Sequence, residues 1–241
     1  MINTIMFDLD GTLVRFYQDD FIGKYFNELG KIFIKLGLDA NSAAKAVWAG
    51  SKAMVLNDGE ELNTQRFWDA FSAVMNISGE QLKKVEAACD SFYTNEFNVV
   101  KSIVRHSEIP KRLVRAMISK GYHVVLATNP QFPPCAVESR LGWIELGWDD
   151  FKFITHYENS SFCKPNLAYY KEILSKIDKT PQECIMIGNN PVEDMCAAEL
   201  GMETFLVTDF IENENNVDIS QFRHGSIEDL EVFLMAFPDI K

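Results

Sequence analysis

Residues 2–13 of the chain, INTIMFDLDGTL, decide the fold. Residues 2–7 form a short apolar run rich in Ile and Phe, which is typical of a buried β-strand. The run ends at Asp8, so the predicted strand carries a carboxylate at its C-terminal tip. In an open parallel sheet, the C-terminal tips of the strands are where ligands bind.

Two carboxylates, Asp8 and Asp10, follow this strand with one residue between them. At a buried strand end they repel each other and lose water, so they require a cation or a shared proton. Magnesium suits them, because it takes one or two carboxylates and leaves room for a phosphate. Gly11 permits a tight backbone path on which amides can face an anion. The pair therefore predicts a magnesium site.

Helical spacing dominates residues 17–97. Apolar residues recur at intervals of three and four between Phe21 and Leu36, as on one face of a helix. Further helices are predicted near residues 40–56, 64–76 and 79–95. No strand-like run interrupts this stretch. We therefore predict a helical insert, with residues 1–16 and 98–241 forming the rest of the fold.

Strands and helices alternate after the insert. Strands are predicted near residues 122–128, 151–155, 184–187 and 205–207, and helices near residues 109–120, 166–177, 192–200 and 227–236. The alternation predicts an α/β fold with a doubly wound parallel sheet. The acidic, Asn-rich residues 209–218 are predicted to be a solvated loop.

Polar residues lie at the later strand tips or in the loops beyond them. They are Thr128 and Asn129, then Lys164, then Gly188 to Asp194. Because ligands bind outside the carboxyl ends of parallel strands, these residues are candidates for one site with Asp8 and Asp10.

The composition limits the partners. The chain has 23 Lys and Arg against 35 Asp and Glu, a net charge of −12, which argues against nucleic acids and anionic membranes. The five cysteines include no CxxC pair and fit neither a disulfide framework nor a zinc cluster. The first residues do not form a secretory signal, and no apolar run is long enough to span a membrane. We therefore predict a cytoplasmic protein that acts on a small molecule.

The order of these motifs resembles that of the haloacid dehalogenase-like (HAD) superfamily. The matching motifs are DLDGT at residues 8–12, Thr128-Asn129, Lys164-Pro165, and residues 188–194 leading into CAAELGM. The resemblance implies a Rossmann-like core. It also implies that the insert at residues 17–97 is a small α-helical cap domain, of the type called C1.

The same resemblance implies a reaction and its residues. Asp8 would attack phosphorus and become phosphorylated, and Asp10 would protonate the leaving alcohol and later deprotonate water. Lys164 and magnesium would offset the charge that repels a carboxylate from a phosphate dianion. The implied phosphate-binding residues are Gly11, Thr12, Thr128, Asn129 and Lys164. The implied metal ligands are Asp8, Asp10 through its main-chain carbonyl, Asn189 and Asp194.

One position departs from the family pattern. Members usually have Gly-Asp at the start of the last motif, whereas this chain has Gly188-Asn189. The amide removes one negative charge, so we expect magnesium binding to be weaker by about 10-fold or more. Asn189 could be a neutral ligand, Asp194 or Glu193 could replace it, or efficient turnover could be lost.

Two other functions remain open. A phosphomutase would keep all four motifs, and a catalytically weakened binding or regulatory protein would be consistent with Asn189. A dehalogenase is disfavoured by Asp10 and Thr12. The closing cap favours a small phosphorylated metabolite as substrate, and Arg15, Lys52 and Arg66 are candidate contacts to its remote groups. The sequence does not indicate an oligomeric state.

Overall fold

Six parallel strands form the central sheet of the computed structural model, which describes residues 1–240. The strands are β1 (Thr4–Phe7), β2 (His123–Leu126), β3 (Phe153–Ile154), β4 (Cys184–Gly188), β5 (Glu203–Val207) and β6 (His224–Gly225). Their order is β3-β2-β1-β4-β5-β6, and each neighbouring pair is parallel. The predicted doubly wound α/β fold is confirmed. Lys241, the last residue of the predicted core, lies outside the described residues.

Eight α-helices accompany the sheet in residues 1–240. The insert contributes α1 (Gln18–Lys35), α2 (Ala40–Val55), α3 (Asn63–Met75) and α4 (Gly79–Thr94), and the rest are α5 (Ile109–Ser119), α6 (Pro134–Trp143), α7 (Leu167–Ile177) and α8 (Ile227–Met235). Capping side chains begin three of them, because Asp39, Asn166 and Ser226 accept hydrogen bonds from main-chain amides of the first turn.

Two short segments differ from the sequence prediction. The helix predicted near residues 192–200 is a 3₁₀-helix over Met195–Leu200. The segment spans six residues, which is longer than most 3₁₀-helices, and it ends at Gly201 with a positive φ of 89°. Strand β6 was not predicted, because two residues are too short to produce an alternating pattern.

The core has two faces separated by the sheet. Ile5 and Phe7 point to one face and Met6 to the other, as expected for successive residues of a strand. The first face is covered by α5, α6 and α8, and its apolar cluster continues into the insert through residues such as Phe21 and Tyr25. The second face packs against α7.

The prediction of a solvated loop at residues 209–218 was wrong for its first residues. Phe210 is buried, and the Asp209 carboxylate accepts hydrogen bonds from the Arg15 guanidinium and the Ile227 amide, both at 2.7 Å. These contacts fasten the chain after β5 to the segment that follows β1. Arg15 is therefore held by Asp209, and its contact with a substrate stays a prediction.

No helix among residues 1–240 combines the length and the apolar character that crossing a bilayer requires.

Candidate active site

The side chain of Lys164 lies between two carboxylates at the C-terminal edge of the sheet. Its Nζ is 2.8 Å from Asp8 Oδ1 and 2.6 Å from Asp194 Oδ1. The three side chains come from segments that are far apart in sequence, and all three are buried. The strand order reverses between β1 and β4, and this reversal is where doubly wound sheets bind their ligands.

Main-chain geometry fixes both carboxylates. Asp8 follows β1, and its amide donates to the Ile187 carbonyl of β4 at 2.8 Å. Asp194 Oδ2 accepts from the Asn190 amide at 2.9 Å, so the loop after β4 folds back over the strand end. A Cβ on Gly188 would lie 2.1 Å from Asp194 Oδ2. Only glycine therefore lets this carboxylate pack against β4.

The charges in this cluster shift one another's pKa values. Burial raises the pKa of Asp8 to about 8, although the ammonium of Lys164 opposes the rise. Burial alone would lower the pKa of Lys164, but Asp194 and Asp8 together raise it well above its ordinary value. Lys164 is therefore a cation in the folded protein. The positive charge near Asp8 is too small to offset the effect of burial on the pKa of Asp8.

Asn189 bridges the loops that follow β1 and β5. Its Nδ2 donates to the Phe210 carbonyl at 2.6 Å, and its Oδ1 lies 3.4 Å from the hydroxyl of Thr12. The same hydroxyl is 3.2 Å from Asp8 Oδ2, so the Thr12 hydroxyl lies between oxygens of Asp8 and Asn189. Gly11, with φ of 76°, leaves the space that the Asn189 amide occupies, because a Cβ there would be 2.1 Å from Nδ2.

Asp10 forms an ion pair with Arg140, a residue that sequence reasoning missed. Arg140 Nη1 donates to Asp10 Oδ2, and the guanidinium is completely buried. Asp10 Oδ1 and Arg140 Nη2 are both buried without a hydrogen-bond partner. Burial raises the pKa of Asp10 in spite of Arg140. In the sequence, Arg140 is an ordinary helical arginine, and only the position of α6 brings it to Asp10.

Helix α7 holds the other loops of the site. The Tyr169 hydroxyl donates to the Thr128 carbonyl at 2.8 Å, and the Tyr170 hydroxyl donates to the Glu193 carbonyl at 2.7 Å. Asn129 Nδ2 donates to Glu193 Oε2 at 3.1 Å. These bonds fix the main chain on both sides of the cluster.

A cavity of about 150 Å³ opens beside the cluster; we call it the carboxylate cavity. Six predicted site residues line it, namely Asp8, Asp10, Thr128, Asn129, Asn189 and Asp194. Thr12 and Lys164 contact Asp8 directly, and Gly11 packs against Asn189. Glu212, which sequence reasoning placed in a solvated loop, also lines the cavity. The structure thus brings the predicted residues together, while their chemical roles stay predictions.

Neither of the other two cations predicted as substrate contacts, Lys52 and Arg66, lines this cavity. Arg66 is paired with Asp58 at 2.6 Å and lies 3.4 Å from Glu61, and Lys52 is exposed. The residue of the insert that lines the cavity is uncharged: it is Gln18, at the start of α1. Gln131 and Phe132 of the loop after β2 lie beside it in the lining.

The oxygen atoms around Asp8 fit a magnesium ion with few protein ligands. Within residues 1–240, no group of three or more His, Cys, Asp and Glu side chains has the arrangement of a metal site. Magnesium, however, needs only one or two carboxylates and keeps several waters. Asp8 supplies one carboxylate and Asn189 an amide oxygen, and both oxygens lie within 3.4 Å of the Thr12 hydroxyl. The uncompensated charge of Asp8 is the electrostatic reason for a cation there.

A family model described as haloacid dehalogenase-like hydrolase matches residues 2–201, which span all the motifs named above. No curated protein matches the chain significantly.

Solved structures resemble the whole chain. A HAD phosphatase from Thermococcus onnurineus has 13% sequence identity and a TM-score of 0.61, with 99% of this chain and 100% of that chain covered. YfnB from Bacillus subtilis, determined with bound magnesium, has 17% identity and a TM-score of 0.59, with 97% and 99% covered. CbbY from Rhodobacter sphaeroides, determined with xylulose 1,5-bisphosphate, has 14% identity and a TM-score of 0.58, with 95% and 96% covered. At these identities the likeness shows the fold.

Proposed function

This chain belongs to the haloacid dehalogenase-like hydrolases, and we propose that it is a magnesium-dependent phosphatase that cleaves a small phosphomonoester through an aspartyl-phosphate. The contact of Lys164 with both Asp8 and Asp194 carries the proposal. A carboxylate attacks a phosphate dianion only where fixed positive charge offsets their repulsion. Lys164 supplies that charge, and its two carboxylate partners hold it in place.

In the first half-reaction, a carboxylate oxygen of Asp8 forms a bond to phosphorus as the bond from phosphorus to the substrate alcohol breaks. The alcohol oxygen receives a proton from Asp10. Arg140 occupies only Oδ2 of Asp10, so Oδ1 is free to carry that proton. The raised pKa of Asp10 favours the protonated form that this step requires.

In the second half-reaction, water attacks phosphorus and its proton passes to Asp10. The bond between phosphorus and the Asp8 oxygen breaks, which releases inorganic phosphate and restores the Asp8 carboxylate. Lys164 and main-chain amides near Gly11 and Asn129 would bind the phosphate oxygens throughout. The hydrogen bond from Tyr169 to the Thr128 carbonyl supports this arrangement by fixing the strand end.

A bound magnesium ion would neutralise charge on the phosphate oxygens and on Asp8. Asp8, the main-chain carbonyl of Asp10, Asn189 and Asp194 are the residues proposed to hold it. Asn189 is neutral, so the site would bind magnesium more weakly than one with a carboxylate at this position.

The test compares wild-type protein with Asp8→Asn on generic phosphomonoesters across a magnesium titration. Wild-type protein should release inorganic phosphate and, after acid quenching, carry acid-stable phosphate on Asp8, which mass spectrometry can locate. Asp8→Asn should reduce both to background while it keeps the folded circular dichroism spectrum. Asp178→Asn is the matched control, because Asp178 is an exposed residue with positive φ that Asn adopts equally well.

The outcomes separate the alternatives. Phosphate release that persists in Asp8→Asn would contradict the covalent mechanism. An isomerised phosphoester in place of free phosphate would indicate a phosphomutase. No turnover at millimolar magnesium would favour the catalytically weakened binding or regulatory protein.

The five free cysteines are consistent with the proposed reducing, cytoplasmic location.

A further inference from the structure

A second cavity lies between the insert and the loop after β2, with a volume of about 120 Å³; we call it the aromatic cavity. Eleven of its 19 lining residues are aromatic and none is charged. They come from helices α1 to α4, from the Gln131 to Pro133 loop and from Tyr157. This composition is unlike that of the carboxylate cavity, whose lining includes five acidic side chains.

The two cavities adjoin each other. Gln18, Gln131 and Phe132 line both of them. A substrate whose phosphate lies against Asp8 would therefore have its alcohol group directed past these three side chains. Part of the wall of the aromatic cavity lies at the surface, since Trp48 is 54% exposed and stacks on Phe26 with ring centroids 5.3 Å apart.

We propose that the aromatic cavity binds the alcohol group of the substrate and that this group carries a single aromatic ring. The proposal rests on the proposed phosphatase function. The volume of the aromatic cavity is close to that of a cavity of about 150 Å³ that binds benzene in another protein. Aromatic walls favour a ring through stacked and edge-to-face contacts, and an uncharged wall removes the preference for a charged group.

The polar atoms of the wall disfavour a sugar. The hydroxyls of Tyr25 and Tyr93 are 2.6 Å apart and hydrogen-bond to each other, so they are already partnered. The other polar groups of the wall include Ser51, the Tyr157 hydroxyl, the indole N–H groups of Trp48 and Trp68, and the two glutamines, which stand at the junction with the carboxylate cavity. A sugar would leave several hydroxyls buried without partners, which costs free energy that a ring does not lose.

The test uses two phosphates of primary alcohols, benzyl phosphate and glycerol 3-phosphate, so that leaving-group chemistry is similar. Wild-type protein should have a kcat/KM for benzyl phosphate at least about 10-fold higher, a difference of about 1.4 kcal/mol. Ser51→Phe fills the cavity from α2 and should lower the ratio of the two kcat/KM values by about 10-fold. Val55→Phe, on the same helix but 41% exposed and outside the lining, should leave the ratio unchanged.

A binding measurement keeps the inference testable without turnover. Benzyl alcohol should bind wild-type protein and Val55→Phe, detected by tryptophan fluorescence, and should bind Ser51→Phe at least about 10-fold more weakly. Ser51→Leu is the second variant if the larger side chain prevents folding. Turnover of both phosphates with no preference for benzyl phosphate, or equal binding of benzyl alcohol to wild-type and Ser51→Phe, would overturn the aromatic assignment. Absence of any phosphate release would instead contradict the proposed phosphatase. The binding of benzyl alcohol alone would then test whether the aromatic cavity accepts an aromatic ring.

Discussion

Arg140 holds Asp10 from inside the protein. Its guanidinium is fully buried and donates to Asp10 Oδ2, while Nε donates to the Ala136 carbonyl of the same helix at 3.2 Å. The centroid of the Phe132 ring lies 4.3 Å from the guanidinium carbon, a cation–π distance. Helix α6, the loop after β2 and the loop after β1 therefore meet at one charged side chain.

Replacing Arg140 with Met should destabilise the protein, because Asp10 would become a largely buried carboxylate without the cation that contacts it. We expect the free energy of unfolding to fall by about 3–5 kcal/mol, measured by urea denaturation. The double variant Asp10→Asn, Arg140→Met should recover part of this loss. Arg112→Met is the control: Arg112 forms an exposed pair with Glu231, so its loss should cost at most about 1 kcal/mol. Equal losses for the two arginines would show that the buried ion pair contributes no more to stability than the exposed one.

Replacing Asn189 with Asp tests the departure from the family pattern. The amide donates to the Phe210 carbonyl at 2.6 Å, and a carboxylate would place an oxygen against that carbonyl. Without magnesium, the free energy of unfolding should therefore fall by about 1–3 kcal/mol. The added negative charge should also lower the half-saturating magnesium concentration by about 10-fold. Both values can be measured by thermal unfolding across a magnesium titration.

The same exchange at Asn76 provides the control for magnesium dependence. Asn76 is an exposed residue with positive φ at the end of α3, and Asn76→Asp should leave the half-saturating concentration unchanged. An unchanged value for Asn189→Asp as well would show that residue 189 does not contact the ion.

Sequence patterns predicted the sheet and the residues at its edge, because strand tips and short motifs are local. The apolar run of β1 and the helix and strand alternation after residue 98 were sufficient for the fold. Arg140, Glu212 and the aromatic cavity were not predicted as parts of the site. Each depends on how distant helices and loops pack: α6 brings Arg140 to Asp10, and the hydrogen bonds of Asp209 direct the chain so that Glu212 reaches the cavity. The ion pair of Arg15 with Asp209 was not predicted either, since no local pattern reveals the partner of Arg15.

His156 should make stability depend on pH. Burial, with a smaller contribution from Lys176, lowers the pKa of His156 to about 4, and its Nδ1 is buried without a partner. Below about pH 6.5 the unfolded chain binds this proton more readily than the folded protein, so stability falls between about pH 6.5 and about pH 4. The free energy of unfolding of His156→Gln, measured by urea denaturation, should fall less over this range. His106→Gln, which removes an exposed imidazole, should follow the wild-type curve, and identical curves for all three proteins would contradict the prediction.

Replacing Gly188 with Ala should disable the site with a single methyl group. The added Cβ would lie 2.1 Å from Asp194 Oδ2, and Asp194 cannot withdraw without losing its bonds to Lys164 and to the Asn190 amide. Lys164 would move with it, and a displacement of about 1 Å at reacting groups can reduce kcat/KM by about 100-fold. Gly142→Ala is the matched control, since a Cβ there meets nothing within 4 Å and alanine in α6 should raise the free energy of unfolding by about 0.5–1 kcal/mol. Phosphate release and urea denaturation on both variants give the comparison: wild-type activity in Gly188→Ala would mean that Asp194 need not lie against β4 for the reaction.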